Sequence, residues 1–505
     1  MSFYITTPIY YVNDEPHLGH AYTTVLADVI ARYHRLMGDS TVFLTGTDEH
    51  GQKVQQAAAA RGVEPQAHCD ELSPRFEAVW EKLGIRHDFY IRTTMEKHKE
   101  VVRRVLSDLY ERDEIYADHY EGWYDVSEER FYTEKDLVDG KSPAGNEVTF
   151  IQEKSYFFRM GKFQKRLIEH IESHPNFIVP KKRANEILGF LKQDLADLCI
   201  SRPKSRLSWG VPLPFDEDYV CYVWFDALFN YYSALEFGFE DDRREECWPA
   251  DLHLIGKDIL TTHAVYWPTM LMAAGLPLPK TILAHGWWLF GDEKMSKSKG
   301  NVVKPLDTMD LYGRDVLRYF LMREMTPGQD SSFSQSLIVE RNNSELSNDL
   351  GNGLNRVTKL IEKHFEARLP ARGEEGEPER ALRKVAETAI EAVQKEIRDY
   401  HPNGAIREAM ELSRAVNRYL EQRAPWKVIK EDQEAAGSSL AWAAEALRLV
   451  GLLLHPVMPE RCSELLNRLG AGEPNSFAEE AVWGKLEAGV SIHSGTPLFP
   501  RFDLE

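Results

Sequence analysis

A strand, helix, strand pattern at the start of the chain most constrains its fold. Residues 3–7 and 41–45 are short runs of β-branched and aromatic residues, and helical periodicity fills residues 22–36 between them. Such a pattern predicts a parallel sheet whose strands are connected by helices. The sequence His-Leu-Gly-His stands at residues 17–20, where the first strand turns into the helix. Imidazoles beside a glycine at this turn are suited to bind an anion.

The rest of the chain predicts that this sheet is split and then followed by helices. Residues 115–214 are rich in Tyr, Gly, Glu and Thr with short alternating stretches, which is typical of an α+β module. Strand-like runs resume at 219–225, 252–255 and 281–285. After residue 301 the strands disappear and helical periodicity dominates. We therefore expect an α/β chain with an α+β insertion and a C-terminal helix bundle.

Length and composition set the class of protein. A chain of 505 residues is too long for one hydrophobic core, so we expect several domains. No apolar run approaches the roughly 20 residues that span a bilayer, and the N-terminus lacks the pattern of a signal peptide. The five cysteines are scattered without a CxxC pair, which argues against disulfides and structural zinc. We expect a cytoplasmic protein with no membrane partner.

Charge alone does not decide the partner. The formal net charge of −19 argues against a nucleic-acid ligand. However, much of the acidity lies in short runs, which leaves residues 181–183 and 202–206 as basic islands.

A cationic loop follows the last strand of the predicted sheet. Residues 294–298 read Lys-Met-Ser-Lys-Ser. Lysines separated by small residues can fold over a polyphosphate and neutralise the oxyanion charge that grows during displacement. A solvated basic loop explains this pentapeptide equally well when it is taken alone. Its pairing with the histidines at residues 17–20, across the split sheet, favours a shared phosphate site.

Together these motifs resemble the class I aminoacyl-tRNA synthetases, and among them the methionyl-tRNA synthetase family, over nearly the full length. Further matching segments are 6–11 (TTPIYY), 45–51 (TGTDEHG), 156–159 (YFFR), 222–227 (YVWFDA), 254–259 (LIGKDI), 350–356 (LGNGLNR) and 424–426 (APW). The resemblance implies a Rossmann-like catalytic domain and an all-α anticodon-binding bundle. It also implies that methionine and ATP form methionyl-adenylate and pyrophosphate, after which methionine passes to the 3′ end of tRNA(Met).

The resemblance assigns boundaries to the expected domains. Residues 1–114 and 215–295 are the two halves of the Rossmann catalytic domain, separated by a connective domain at 115–214 with a degenerate zinc knuckle. Residues 296–347 form the lysine loop and a linker that contacts the tRNA stem. Residues 348–505 form the anticodon-binding domain.

The family reaction needs no enzyme nucleophile, because the methionine carboxylate attacks the α-phosphate of ATP directly. Positioning and charge stabilisation then carry catalysis. The resemblance assigns catalytic roles to His17, His20, Lys294 and Lys297. It assigns ATP contacts to Gly19, Gly256, Asp258, Met295, Ser296 and Ser298. Mg²⁺ accompanies ATP as part of the substrate.

Methionine needs an anion for its ammonium group and a soft apolar pocket for its thioether. Asp48 matches the family position that contacts the ammonium. The wall of the side-chain pocket is assigned to Ile9, Tyr11, Trp224, Ala227, Leu228, Tyr231, His263 and Trp267. Taken singly, the two tryptophans and the histidine are more typical of a protein core than of a ligand pocket, and only their joint match to the family favours the pocket.

The resemblance assigns anticodon reading to Asn352, Arg356 and Trp426 in the helical region. An amide and a guanidinium can read base edges, and an indole can stack on an unpaired base. The expected partners are L-methionine and tRNA(Met), including initiator tRNA. The chain ends near residue 501 without the dimerisation domain that some relatives carry, so we expect a monomer.

The insertion departs from many relatives. Where they carry the Cys pairs of a zinc knuckle, this chain has Asp125, Glu128 and Ser142 near Gly145. Because thiolates make such knuckles bind zinc tightly, we expect no structural zinc. A hard cation on Asp125 and Glu128 is the alternative.

Two other functions stay open at this stage. A related synthetase for leucine or cysteine would share the histidine and lysine motifs but would have a different pocket, and the compact insertion argues against the large aliphatic substrates. A tRNA-binding or regulatory paralogue without catalysis is the second alternative, and the intact His17, His20 and Asp48 argue against it.

Overall fold

The computed structural model describes residues 2–13, 15–125, 130–291, 293–294 and 302–503. Its first part alternates strands and helices, as the strand and helix patterns predict. The elements are β1 (Ser2–Thr6), β2 (Tyr10–Tyr11), α1 (Leu18–Leu36), β3 (Ser40–Asp48), α2 (Gln52–Arg61), α3 (Pro65–Lys82), β4 (Phe89–Arg92) and α4 (Glu96–Glu111).

The middle of the chain is α+β, which confirms the predicted texture. Its elements are β5 (Ile115–Asp125), β6 (Arg130–Tyr132), β7 (Val148–Phe158), α5 (Gln164–Ser173), β8 (Ile178–Val179), α6 (Lys181–Phe190), β9 (Leu198–Cys199), β10 (Ser201–Pro203), β11 (Pro212–Leu213) and β12 (Asp216–Cys221), with 3₁₀ turns at Glu134–Asp136 and Met160–Phe163. Strands β5 and β7 form a long antiparallel ribbon in which Ile115 pairs with Phe158.

The chain then returns to alternating strands and helices. These elements are α7 (Val223–Leu228), α8 (Asn230–Phe237), α9 (Arg244–Cys247), β13 (Leu252–Gly256), a 3₁₀ turn (Lys257–Ile259), a π-helix (Thr262–Tyr266), α10 (Trp267–Ala274), β14 (Ile282–His285), β15 (Trp288–Phe290) and β16 (Glu293–Lys294).

The C-terminal region is almost entirely helical. Its elements are α11 (Pro305–Tyr312), α12 (Arg314–Glu324), β17 (Ser331–Phe333), α13 (Gln335–Arg341), a π-helix (Asn342–Gly351), α14 (Asn352–His364), α15 (Glu377–Arg398), α16 (Pro402–Arg423), α17 (Pro425–Val428), α18 (Gln433–Leu454), α19 (Pro459–Arg468) and α20 (Phe477–Glu480). Helix α18 is apolar and long enough to cross a bilayer, but 94% of its most apolar window is buried inside the protein. It is the central helix of the bundle.

A seven-stranded sheet joins strands from the first part of the chain with β13 and β14, and it also includes β8 from the segment expected to be an insertion. The strand order is β2-β3-β1-β13-β14-β8, and β4 also pairs with β3. All of these pairings are parallel, with Ile5 of β1 opposite Phe43 of β3 and Leu252 of β13. Strand β1 therefore lies between segments that are about 200 residues apart in sequence, which confirms the predicted split sheet.

Helix α1 packs against both the sheet and the C-terminal helices. In its C-terminal half, the carboxylate of Asp28 accepts a 2.6 Å hydrogen bond from Arg318 of α12. The same guanidinium donates to the carbonyl oxygen of Val457 at 2.8 Å. The Tyr33 hydroxyl donates to the carbonyl oxygen of Leu453 in α18. These buried groups fix α1 between the sheet and the bundle.

Two local predictions are wrong. Residues 219–225 were expected to form one strand of the sheet, but β12 ends at Cys221 and belongs to a separate three-stranded sheet, and α7 begins at Val223. Aromatic and β-branched residues favour strands only weakly, and tertiary packing overrides that preference here. Strands also persist after residue 301, because Ser331–Phe333 pairs in parallel with Trp288–Phe290.

Candidate active site

A cavity of about 940 Å³ opens at the carboxyl ends of the central parallel strands. This is where open α/β sheets bind ligands, because the connecting loops diverge there. The cavity brings together most of the predicted site residues from both halves of the sheet. Those that line it are Ile9, Tyr11, His17, Gly19, His20, Trp224, Ala227, Leu228, Tyr231, Gly256, Asp258 and His263.

The two histidines form a stacked pair at the N-terminus of α1. Their ring centroids are 3.8 Å apart, with planes inclined by 19°. Nδ1 of His17 accepts from the Gly19 amide at 3.0 Å, and Nδ1 of His20 accepts from the His17 amide at 3.3 Å. In a neutral imidazole, an accepting Nδ1 makes Nε2 the donating nitrogen. Both rings therefore carry their N–H on the side away from the backbone.

Gly19 is required by this arrangement itself. A Cβ atom at this position would lie 2.9 Å from Cε1 of the His17 ring. The family resemblance assigns an ATP contact to Gly19. The structure adds that a side chain there would push the capping imidazole of His17 out of place.

The segment that follows the second motif lies at the same corner of the cavity. Lys294 is in β16, where its backbone pairs with Leu289. Four predicted residues lie outside the described part of the chain: Met295, Ser296, Lys297 and Ser298. Immediately after that stretch, Val302 lines the cavity, and the Val303 carbonyl accepts a 3.0 Å hydrogen bond from the Leu18 amide. The chain therefore re-enters the site beside the histidine motif.

Asp258 also lines the cavity, just after the end of β13. The 3₁₀ turn Lys257–Ile259 carries it, with Gly256 at the N-cap position. Asp258 is therefore inside this turn and is not its N-cap residue. A Cβ on Gly256 would lie 2.6 Å from Oδ1 of Asp258, so the carboxylate occupies space that only glycine leaves open.

Tyr231 and His263 form a buried polar pair in the aromatic wall. Nδ1 of His263 donates to the carbonyl oxygen of Ile259 at 3.0 Å, so Nε2 accepts from the Tyr231 hydroxyl at 2.7 Å. Burial lowers the pKa of His263 to about 4, and burial raises the pKa of Tyr231. The imidazole is therefore neutral at physiological pH, and the pair presents no net charge to an apolar ligand.

Two predicted methionine contacts lie behind the cavity surface. Asp48 ends β3 opposite Tyr11 in the sheet register and is 2% exposed. Trp267 is fully buried, and its indole N–H donates to Nε2 of His253 at 3.1 Å. Its ring also packs edge-on against Tyr231. In this conformation both residues support the wall from behind.

The sequence did not single out several residues of this cavity. His285 ends β14, and its Nε2 lies 2.7 Å from the Thr23 hydroxyl of α1. Its place at the carboxyl end of a parallel strand was the available signal. The other unpredicted lining residues include Asn13, Lys53, Asn146, Asn230, Trp287 and Trp288.

The residues expected to hold a zinc ion in relatives instead form a hydrogen-bonded turn. The buried Asp125 carboxylate accepts a 2.9 Å hydrogen bond from the Asn146 amide group. The backbone N–H of Asn146 donates to the Ser142 hydroxyl, and the backbone N–H of Gly145 donates to the Ser142 carbonyl oxygen. Glu128 lies outside the described residues. Without thiolates or imidazoles these groups do not fit zinc, and no cluster of three potential ligands occurs among the described residues.

The residues expected to read an anticodon lie on the helix bundle. The Arg356 guanidinium lies 5.5 Å from the ring centroid of Trp426 and forms a 2.7 Å ion pair with Glu421. Asn352 is one turn earlier on α14 and lines a separate cavity of about 320 Å³ with residues 497–499 and Arg501. Arg356 and Trp426 are thus in contact, whereas Asn352 faces a neighbouring recess.

Comparisons with known proteins agree with this architecture. The family model described as tRNA synthetases class I (M) matches residues 3–149 and 135–358. The model described as the anticodon binding domain of methionyl tRNA ligase matches residues 369–504.

Curated and solved relatives match over the whole chain. The methionine–tRNA ligase of Caldanaerobacter subterraneus subsp. tengcongensis is 43% identical over 508 residues, covering 100% of this chain and 79% of that protein. The one from Bacillus subtilis is 43% identical over 523 residues, covering 100% and 78%. Mycobacterium tuberculosis methionyl-tRNA synthetase in complex with methionyl-adenylate superposes with a TM-score of 0.95 at 40% identity, covering 99% of this chain and 100% of that chain. The apo form of the M. tuberculosis enzyme superposes with a TM-score of 0.88 at 36% identity, covering 100% of this chain and 99% of that chain.

Proposed function

The chain belongs to the methionyl-tRNA synthetase family, and from that premise we propose how its residues divide the work of the methionine–tRNA ligase reaction. The enzyme activates methionine with ATP and then charges tRNA with it. The observation that carries the assignment is a single cavity whose lining includes both the histidine corner and the Tyr231 and His263 pair. The histidine corner suits a polyphosphate, and the Tyr231 and His263 pair suits a thioether.

We assign the apolar end of the cavity to the methionine side chain. Ile9, Ala227 and Leu228 supply apolar surface, and Trp224 supplies an aromatic edge. Sulfur packs favourably on such edges. The Tyr231 hydroxyl, fixed by neutral His263, gives the thioether a polar neighbour without a charge that would reject it.

We assign the ammonium group of methionine to the carboxylate of Asp48. This residue is the last of β3 and pairs with Tyr11 in the sheet. A buried carboxylate attracts a cation strongly because the surrounding dielectric is low. Binding through the ammonium leaves the methionine carboxylate directed toward the phosphates. That carboxylate oxygen bonds to the α-phosphorus while the bond from the α-phosphorus to the bridging oxygen breaks, and pyrophosphate departs with the electron pair.

His17 and His20 stabilise the negative charge that develops on the phosphate oxygens. Their capped Nδ1 atoms leave Nε2–H as the donating group, so no proton must move before each ring can act. We assign Lys294 and Lys297 to the departing pyrophosphate and Met295, Ser296 and Ser298 to the same ATP-binding loop. Gly19, Gly256 and Asp258 hold the adenosine, with the Asp258 carboxylate accepting ribose hydroxyls. ATP enters with Mg²⁺, which offsets part of the phosphate charge.

The bundle receives the tRNA. Arg356 lies over the half-buried ring of Trp426, so that the indole can stack on a base while the guanidinium hydrogen-bonds to its neighbour. Asn352 extends that surface by one helical turn. We propose that elongator and initiator tRNA(Met) both bind here, that the enzyme acts as a monomer, and that it works in the cytoplasm.

Amino-acid-dependent exchange of pyrophosphate into ATP tests this assignment. Each of the twenty standard amino acids is assayed separately, and only methionine should support fast exchange. Exchange driven by leucine or cysteine would reassign the pocket to another class I synthetase. A folded protein that binds tRNA without any exchange would be the non-catalytic paralogue.

A further inference from the structure

A buried carboxylate lies behind the proposed methionine pocket. It links helix α7, which lines the pocket, to the segment that follows Asp48. Asp226 is in α7, between Trp224 on one side and Ala227 and Leu228 on the other. Those three neighbours line the cavity, whereas the Asp226 side chain is 1% exposed and directed into the protein. The helix therefore presents a ligand-binding face and an anchored face.

Two histidines from distant segments hold this carboxylate. Nδ1 of His50 lies 2.6 Å from Oδ2 of Asp226, and Nε2 of His98 lies 2.9 Å from Oδ1. Nδ1 of His98 is in turn 2.7 Å from the Ser233 hydroxyl of α8. Both rings are buried, so each hydrogen bond forms where water does not compete. Burial alone would raise the pKa of Asp226, but His50 and His98 lower it to about 2.

His50 connects Asp226 to the segment that is proposed to bind the ammonium group of methionine. It follows Asp48 by two residues, at the point where β3 has ended and before α2 begins. Asp48 is the residue assigned to the methionine ammonium, and α7 is the helix assigned to the methionine side chain. The bond between His50 and Asp226 therefore sets the separation between the two groups that grip one amino acid.

We propose that Asp226, held by His50 and His98, is a positioning residue that determines selectivity for the length of the amino-acid side chain. This inference rests on the proposed function, because it needs methionine to lie between Asp48 and α7. A ligand with a shorter or longer side chain would need a different separation, which the fixed carboxylate resists. When the anchor is loosened, methionine should bind less tightly and its analogues should be rejected less well.

The chain offers matched variants for a test. Gln at position 98 can place an amide N–H where Nε2 is, and Asn at position 50 can do so for Nδ1, whereas Leu at either position supplies no donor. H98L and H98Q are therefore compared, followed by H50L and H50N. D226A removes the carboxylate itself. D28N, which alters a buried carboxylate paired with Arg318 in the middle of α1, is the control for general destabilisation.

Steady-state pyrophosphate exchange is measured for methionine, for its shorter analogue homocysteine and for its longer analogue ethionine. In H98L and D226A the KM for methionine should rise about tenfold while the KM for ATP changes less than about twofold. The preference for methionine over both analogues should narrow, and H98Q should restore most of it. D28N should lower the melting temperature and leave the preference unchanged.

The possible outcomes distinguish a failure of this inference from a failure of the proposed function on which it rests. Wild-type protein without methionine-dependent exchange would overturn the proposed function. Active, folded H98L and D226A with wild-type KM values and wild-type preference would overturn the positioning role alone. Equal changes in both KM values, without rescue by Gln, would show that the histidine only supports the fold. If D226A fails to fold, the H50L and H50N pair gives the same comparison.

Discussion

The two proposed ligand-binding regions of this molecule are built in opposite ways. In the catalytic cavity, polar groups such as His263 and Tyr231 are almost completely buried and hydrogen-bonded to each other. On the helix bundle, Arg356 is 38% exposed, and its carboxylate partner Glu421 is 59% exposed. An exposed ion pair contributes little to stability, whereas a buried unsatisfied group costs about 1–3 kcal/mol.

This difference indicates which structural property makes each of the two steps accurate. The cavity is arranged during folding, so a small ligand meets donors and acceptors that already have their final geometry. The bundle instead offers groups that can exchange a protein partner for an RNA partner at small cost. Substitutions in the cavity should therefore affect adenylate formation, whereas substitutions on the bundle should affect only the binding and charging of tRNA.

The largest effect is expected for the histidine corner. Replacing His17 or His20 by Ala removes an N–H donor to the phosphates, so pyrophosphate exchange should slow about 100-fold or more. Methionine affinity, measured by calorimetry, should change less than about threefold, because neither histidine is among the residues assigned to methionine. His34→Ala, an imidazole near the C-terminus of the same helix that pairs with Asp39, is the matched control. Equal losses of exchange and of methionine affinity would mean that these rings only hold the fold.

The next largest effect separates the two regions. Trp426→Ala removes a stacking surface worth about 1–3 kcal/mol per base, so kcat/KM for tRNA charging should fall about 10- to 100-fold. Pyrophosphate exchange in the absence of tRNA should keep its wild-type rate. Glu421→Gln, which removes only the exposed partner of Arg356, should change charging less than about threefold. A loss of exchange in the Trp426 variant would break the comparison.

A smaller effect is expected inside the cavity. Tyr231→Phe leaves Nε2 of His263 without its donor, so the Kd for methionine should rise about five- to tenfold in titration calorimetry. Because burial lowers the pKa of His263 to about 4, the ring is neutral from pH 8 down to pH 6. The ratio of variant to wild-type Kd should therefore be constant over that range. Tyr33→Phe, which loses a buried hydrogen bond to Leu453, should reduce stability without changing the Kd.

The smallest effect is expected for chelation. The turn at Ser142 and Asn146 holds the Asp125 carboxylate by hydrogen bonds, so prolonged dialysis against a chelator should leave the melting temperature and exchange rate unchanged. Elemental analysis of the purified protein provides the check. Stoichiometric zinc, lost together with stability, would contradict this expectation.

Much of the architecture follows from local sequence patterns. Periodicity predicts the βαβ unit and the bundle helices, because each buries one face against a neighbour. It fails at Val223–Phe225, where a strand-like composition forms the first turn of α7. Compact motifs likewise locate His17, His20 and Asp258. The set of His50, His98 and Asp226 escapes such reading because its members lie in three separate segments. Each of these residues alone is as typical of a satisfied core residue as of a site.

Helix α1 carries the histidine corner at its first turn and the contacts to Arg318 and Leu453 farther along. At about 1.5 Å per residue, its 19 residues form a rod about 28 Å long. Because Asp28 and Tyr33 hold this rod to the C-terminal helices, the helix bundle fixes where the histidine corner stands. A change in how the bundle packs on the sheet would therefore be transmitted to the catalytic cavity as a rigid displacement of one helix.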